Sequence, residues 1–239
     1  MYKQVSKVKN PEYRDSWVSE SLRIISGNAA ETGLSLLDVG AGTGPYRKEI
    51  NELGFHYRGH DFASYVPDAA APGLQNPNWV YTELEFICDL LEIPPSAKSN
   101  VVLCTEVLEH VPNPVEAFHK LWNLVKPGGV MLVTVPFLSL MHQAPHWYSS
   151  GLSPFWFAHH AREADCHDFE IKVHGDYFDL MYQEMSRVLS GTTRFQRVLS
   201  LPFRYFFGAC FKIARELAPT SLQQMGGFGV TFFARKPEH

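Results

Sequence analysis

Leu36-Leu37-Asp38-Val39-Gly40-Ala41-Gly42-Thr43-Gly44-Pro45-Tyr46 is the stretch on which the reading of the chain turns. Its apolar residues Leu36, Leu37 and Val39 meet three glycines at every second position, the pattern of a buried strand that ends in a tight turn. Tyr46 to Leu53 then reads as a helix. Glycine tolerates positive φ and lets the backbone approach a ligand closely, and the free N–H groups of the following helix point at whatever lies there. The ligand of such a turn is a nucleotide or something built like one.

The spacing is Gly-x-Gly-x-Gly, distinct from the Gly-x-Gly-x-x-Gly of a dinucleotide fold, and no lysine follows to hold a phosphate. Asp38 puts a carboxylate at the strand end, which favours a cationic or hydrogen-donating ligand over a pyrophosphate. With its acidic residue ahead of the glycines, this stretch resembles the first motif of the class I S-adenosylmethionine-dependent methyltransferases. Three later stretches extend the resemblance over residues 15–136. Phe55 to Phe62 reads as a second strand ending in Asp61, 23 residues beyond Asp38, near the spacing of a carboxylate that accepts from a ribose diol. Phe86-Ile87-Cys88-Asp89-Leu90 reads as a third strand with an acid at its end. Asn100 to Thr105 reads as a fourth, running into Glu106-Val107-Leu108-Glu109-His110-Val111-Pro112. The resemblance implies a cofactor site built from Asp38, Gly40, Ala41, Gly42, Gly44, Asp61, Phe62, Cys88, Asp89, Leu90, Thr105 and Glu106, with Cys88, Asp89 and Leu90 on the adenine side.

Val115 to Val125 is amphipathic and stops at Lys126-Pro127-Gly128-Gly129, with Val130 to Pro136 a fifth strand. Upstream, Asp15 to Ile25 has a capping residue ahead of Val18, Leu22 and Ile25 at helical spacing, widened by Trp17 and Ile24. Asp168 to Val173 and Gly227 to Arg235 alternate like a sixth and a seventh strand, which in the resembled family form an antiparallel edge pair. The expected fold is three-layer α/β and Rossmann-like, a seven-stranded, mostly parallel sheet with an antiparallel last strand. About 50 residues separate the last two strands, so a helical insertion precedes the final one. One domain over 1–239 is expected: a cofactor core (15–136), an acceptor-pocket and lid segment (137–165), the insertion (176–220) and the last strand (227–236).

The segment from Phe137 to His160 holds four of the 11 histidines and six aromatic rings. It leaves the fifth strand on the cofactor side, so it reads as the acceptor pocket and lid, with Phe155 to Phe157 open to the alternative of a helix that simply covers the core. Rings supply apolar walls and histidines a proton acceptor near neutral pH. His142, Trp147 and Tyr148 are the acceptor-binding candidates. His146 is the first choice of general base, ahead of His110.

Glu106-x-x-Glu109-His110 sets two carboxylates and an imidazole on one face, where a further histidine such as His146 could complete a divalent-metal site. That pattern is similar to the metal-dependent small-RNA 2′-O-methyltransferases and the ubiquinone-pathway O-methyltransferases. Glu109 serving a helix N-terminus is the competing reading, and the expected site contains no metal.

The 239 residues are 45% hydrophobic and 19% charged, enough to bury a full core. A formal charge of −4 leaves no broad positive field for a nucleic-acid backbone. Cys88, Cys104, Cys166 and Cys210 lack metal or redox spacing and suit reduced thiols in a cytoplasm. No stretch reaches the roughly 18 apolar residues of a spanning helix. Phe203, Tyr205, Phe206, Phe207, Phe211 and Ile213 crowd together with Arg204, Lys212 and Arg215, which suits a membrane surface, a second subunit or a packed cap. The expected activity is methyl transfer from S-adenosylmethionine to a small molecule, at oxygen, by a cytoplasmic monomer or homodimer. The rival is a non-catalytic module that binds the cofactor or its product S-adenosylhomocysteine.

Overall fold

The computed structural model describes residues 3–5, 13–28, 33–68, 70–76, 78–189 and 194–238. Strand β2 (Ser35–Val39) is buried along its whole length, as a strand covered on both faces must be. It pairs in parallel with β3 (His56–Asp61) on one side and β5 (Ser99–Thr105) on the other. The two-residue β4 (Phe86–Ile87) extends the sheet beyond β3, and β6 (Val125–Pro136) extends it beyond β5. In β6 the register slips between Val125 and Val130, so Lys126 to Gly129 bulge out of the ladder, with Gly128 at φ +72°.

β8 (Gly229–Arg235) is antiparallel to both of its neighbours, β6 and β7 (Asp168–His174). The expected edge pair is therefore one position further in, because β8 slots between β6 and β7 and a further short strand, β1 (Lys3–Val5), lies outside β7. The order is β1-β7-β8-β6-β5-β2-β3-β4. All seven expected strands are present, and β1 adds an eighth too short to show any periodicity.

Alternation along each strand divides the core between two faces. Leu36, Val101, Leu103, Val130 and Leu132 join one cluster with Trp17, Val18 and Leu22 of α1 (Tyr13–Ile25) and Ile50 of α2 (Arg47–Glu52). Leu37, Val102, Cys104, Met131 and Val133 join the other with Phe118 and Leu121 of α3 (Pro114–Leu124) and Phe157 and Ala161 of α4 (Pro154–Glu163). Phe118 and Phe157, each fully buried, contribute roughly 1.5–3 kcal/mol apiece by leaving water.

Two local expectations are corrected, and for Phe155 to Phe157 the covering-helix alternative holds. Ile24 is 75% exposed and lies off the packed face of α1. Asp15 sits inside α1 and caps nothing; its carboxylate accepts the Tyr46 hydroxyl at 2.6 Å, tying α1 to the turn after Gly44. Of the three aromatics of α4, capped by Ser153 at its start, Phe157 is buried in the core, Trp156 meets the edge of Phe118, and Phe155 faces solvent. None of these three aromatics reaches the cavity described below, so α4 covers the sheet and leaves that cavity to the preceding loop.

Between β7 and β8 come α5 (Tyr177–Leu189), α6 (Arg194–Leu217) and α7 (Thr220–Gln223). Arg215 of α6 pairs with Asp176 at 2.8 Å and with Asp179, and Asp176 also accepts the N–H groups of Phe178 and Asp179 at the start of α5.

Candidate active site

Gly40, Gly42 and Gly44 all take positive φ, at 72°, 51° and 68°. A Cβ on Gly40 would stand 2.3 Å from Val107 Cγ2, and one on Gly42 would stand 2.7 Å from Trp79 Cζ2. No side chain fits between this turn and what lies over it. Its backbone is fixed by the β3 end: Ala41 N–H donates to the His60 carbonyl at 2.8 Å and Gly42 N–H to Asp61 Oδ2 at 3.0 Å. Asp61 Oδ1 accepts Ala63 N–H at 2.9 Å. Two backbone donors hold the carboxylate, and about two of its four lone-pair sites remain for a ligand.

A cavity of about 280 Å³ opens beyond the carboxyl ends of the strands, where ligands of open α/β sheets bind. Of the residues anticipated for cofactor or acceptor, Gly40, Asp61, Phe62, Asp89, Leu90, Glu106, His110, His146 and Tyr148 line it. Ala41, Gly42, Gly44, Cys88, Thr105, His142 and Trp147 are not among its lining residues. Asp38 does not line it either; its carboxylate accepts the Tyr57 hydroxyl at 3.0 Å, and burial, with a smaller push from Asp61, raises its pKa to about 7. The hydrogen donor that this strand end attracts is a neighbouring tyrosine.

The sequence reading missed Tyr65, Trp79 and Tyr81, which form the aromatic wall. They come from a proline-rich loop without periodicity. Thr82 N–H donates to the Gly42 carbonyl and Glu85 N–H to the Gly59 carbonyl, both at 2.8 Å, laying that loop against the glycine turn. Asp89, exposed at the cavity rim, accepts Leu91 N–H at 2.8 Å and starts the short helical turn at Leu90.

On the opposite wall, Glu106 has φ +54°, donates its N–H to the Thr134 carbonyl at 2.9 Å, and accepts the Thr134 hydroxyl at 2.8 Å. Burial raises its carboxyl pKa. Glu109 is fully buried, and neither carboxylate oxygen has a hydrogen-bond partner among the described residues. Burial and then the neighbouring Glu106 charge push it well above the usual carboxylate range. It caps no helix; Asn113 does that for α3, accepting Glu116 N–H at 3.3 Å.

The histidines are arranged by backbone carbonyls. His110 Nδ1 bonds the His146 carbonyl and His142 Nδ1 the Leu140 carbonyl, so with Nδ1–H as donor both Nε2 lone pairs are free. Burial holds His110 neutral, with its pKa down at about 4. Glu109, His110 and His142 each bring a ligand atom within 4.8 Å of the others. This differs from the grouping read from sequence: Glu106 turns to Thr134, and His142 takes the place given to His146. The His146 ring instead lines the cavity, edge-on to Phe62 at 5.0 Å.

A methyltransferase-domain family model matches residues 12–170. The ubiquinone biosynthesis O-methyltransferase of Paraburkholderia phytofirmans is 26% identical over 167 residues, covering 63% of this chain and 72% of that relative. The protein of the same name from Albidiferax ferrireducens is 34% identical over 116 residues, which cover 47% of this chain and 43% of the relative, under half its length. Among solved structures, a SAM-dependent methyltransferase from Archaeoglobus fulgidus superposes with a TM-score of 0.53 at 15% identity, covering 92% of this chain and 94% of the other. The chain belongs to the methyltransferase-domain family and is a class I S-adenosylmethionine-dependent methyltransferase.

Proposed function

We propose that this enzyme methylates an oxygen of a small molecule, with His146 removing the acceptor's proton. The observation that carries the reading is one cavity bordered by Gly40, Asp61, Asp89 and Leu90 on one side and His110, His146 and Tyr148 on the other. The first group suits an adenosyl ligand. Asp61 keeps lone pairs for a ribose diol, Gly40 allows close backbone approach, and Leu90 with Asp89 offers an apolar face beside a carboxylate for an adenine amino group. S-adenosylmethionine supplies a methyl group already activated on a sulfonium, so the protein's task is alignment and proton removal.

His146 lies in the segment that leaves β6 on the cofactor side, and its carbonyl anchors His110, so the two histidines are positioned together. The O-methyltransferase names of the relatives support oxygen as the acceptor atom. The test is S-adenosylhomocysteine binding by calorimetry, followed by turnover on a panel of phenols, alcohols and carboxylates. His146→Ala at saturating cofactor should lower kcat by roughly 100-fold or more with cofactor affinity unchanged. Binding without turnover on any acceptor favours the non-catalytic module, and full kcat in His146→Ala removes that residue as base.

The orphaned Glu109 carboxylate supports a second reading, a divalent cation held by Glu109, His110 and His142. Two neutral imidazoles with Nδ1 committed to carbonyls, together with one carboxylate, form a donor set that transition metals accept, and the carbonyls fix the tautomers. Such an ion would polarise an acceptor hydroxyl and lower its pKa. Activity unchanged by chelator removes this reading and leaves the first intact.

A further inference from the structure

Helix α6 is turned inside out. The residues it sets toward the body of the protein are Ser200, Arg204, Gly208 and Arg215 with the half-buried Phe211, and a Cβ on Gly208 would touch the Tyr182 ring of α5 at 3.2 Å. Its outward side carries Leu199 (57% exposed), Phe203 (59%), Phe206 (63%), Ile213 (59%) and Leu217 (80%), at intervals that keep them on one side of a helix. A surface helix of a globular protein buries its apolar stripe. This one shows it to solvent, and Leu222 of α7 and Met225 just after it are exposed as well.

Charge identifies what covers it. Residues 185–217 contain one of the chain's 25 acidic residues, Glu216, and six of its 21 lysines and arginines, so this stretch carries +5 and the remaining residues −9; Arg187 is paired with Glu184 and Arg215 with Asp176 and Asp179. We propose that α6 lies flat on an anionic lipid surface, its apolar side in the acyl boundary, with the exposed Lys212 and the net positive charge of the stretch drawing it to the headgroups. A second copy of the chain fits less well. The exposed Val198, Leu201 and Tyr205 make the apolar side wider than a coiled-coil seam, and the net positive charge of the stretch repels its own copy. Spanning is a different matter: among the described residues no helix is long and apolar enough to cross a membrane.

The test is flotation of the full chain with vesicles of phosphatidylglycerol and phosphatidylcholine, and with vesicles of phosphatidylcholine alone, at low and high salt. Expected are partition onto the anionic vesicles, binding about tenfold or more weaker on the neutral ones, and release as salt rises. Phe203→Glu with Phe206→Glu, and separately Lys212→Glu, should weaken partition by about tenfold while the melting curve and S-adenosylhomocysteine affinity stay at wild-type values. Should the double variant not fold, Lys212→Glu and the salt series decide alone. Equal partition onto both vesicle types, none onto either, or partition indifferent to these variants overturns the proposal. A dimer in light scattering that Phe206→Glu splits, without vesicle binding, assigns the patch to a second copy instead.

Discussion

Asp61→Asn is the perturbation that separates a structural acid from a cofactor-binding one. The carboxylate is 5% exposed and accepts Gly42 N–H at 3.0 Å through one oxygen and Ala63 N–H at 2.9 Å through the other. Asparagine keeps one acceptor oxygen and turns an NH2 group toward the second N–H, so one charge-assisted bond is lost and a buried donor faces a donor. That should cost about 2–3 kcal/mol of stability, read as a lower urea midpoint with unchanged slope. The same change removes the anionic acceptor offered to a ribose diol. Losing two hydroxyl bonds to a charged group, in part replaced by the amide oxygen, should weaken S-adenosylhomocysteine by about 10- to 100-fold in calorimetry. A destabilised variant with wild-type affinity would show that Asp61 only braces the glycine turn. Wild-type stability would refute the two backbone bonds themselves.

Gly40→Ala should destabilise by about 2–4 kcal/mol in urea unfolding, combining the left-handed φ of 72° with a Cβ 2.3 Å from Val107 Cγ2. Adding Val107→Ala should recover the contact share and leave the backbone share of roughly 1 kcal/mol. His174, buried in β7 and bonded to the Thr231 hydroxyl at 2.9 Å, has its pKa pushed down to about 4 by burial and then by Lys172. An unfolded histidine titrates near 6.5, so between about pH 6.5 and 4 the unfolded state takes the proton first and stability falls as pH falls. His174→Gln should remove up to about 3 kcal/mol of that acid loss, and parallel pH–stability curves for the two proteins would refute it. Under the metal-assisted reading, manganese or zinc should raise the melting temperature of the wild type but not of Glu109→Gln; a melt that no divalent ion shifts discards the site.

Much of the fold was legible because a buried parallel strand writes itself as an apolar run and a turn at its end needs glycine or an acid. Leu36 to Gly44, Asp61 and Val130 to Pro136 carry those signals directly. The cavity wall was legible only where it falls on strand ends. Trp79 and Tyr81 reach it through two backbone hydrogen bonds of an aperiodic loop, which no local pattern announces. For the same reason the segment after β6 showed its histidines but not which of them meets Glu109. The aromatics of α4 and α6 read alike in sequence, yet Phe157 is fully buried and Phe206 exposed. Amphipathicity marks an apolar side without saying what lies against it.

The most direct measurement of the proposed seat is a crystal structure of the complex with S-adenosylhomocysteine. The expected result has the ribose diol on Asp61, the adenine between Leu90 and the Asp89 carboxylate, and the sulfur directed toward the His146 side of the cavity. A ligand bound elsewhere, or a cavity left without it at saturating concentration, would contradict the assignment of these strand ends as the cofactor site.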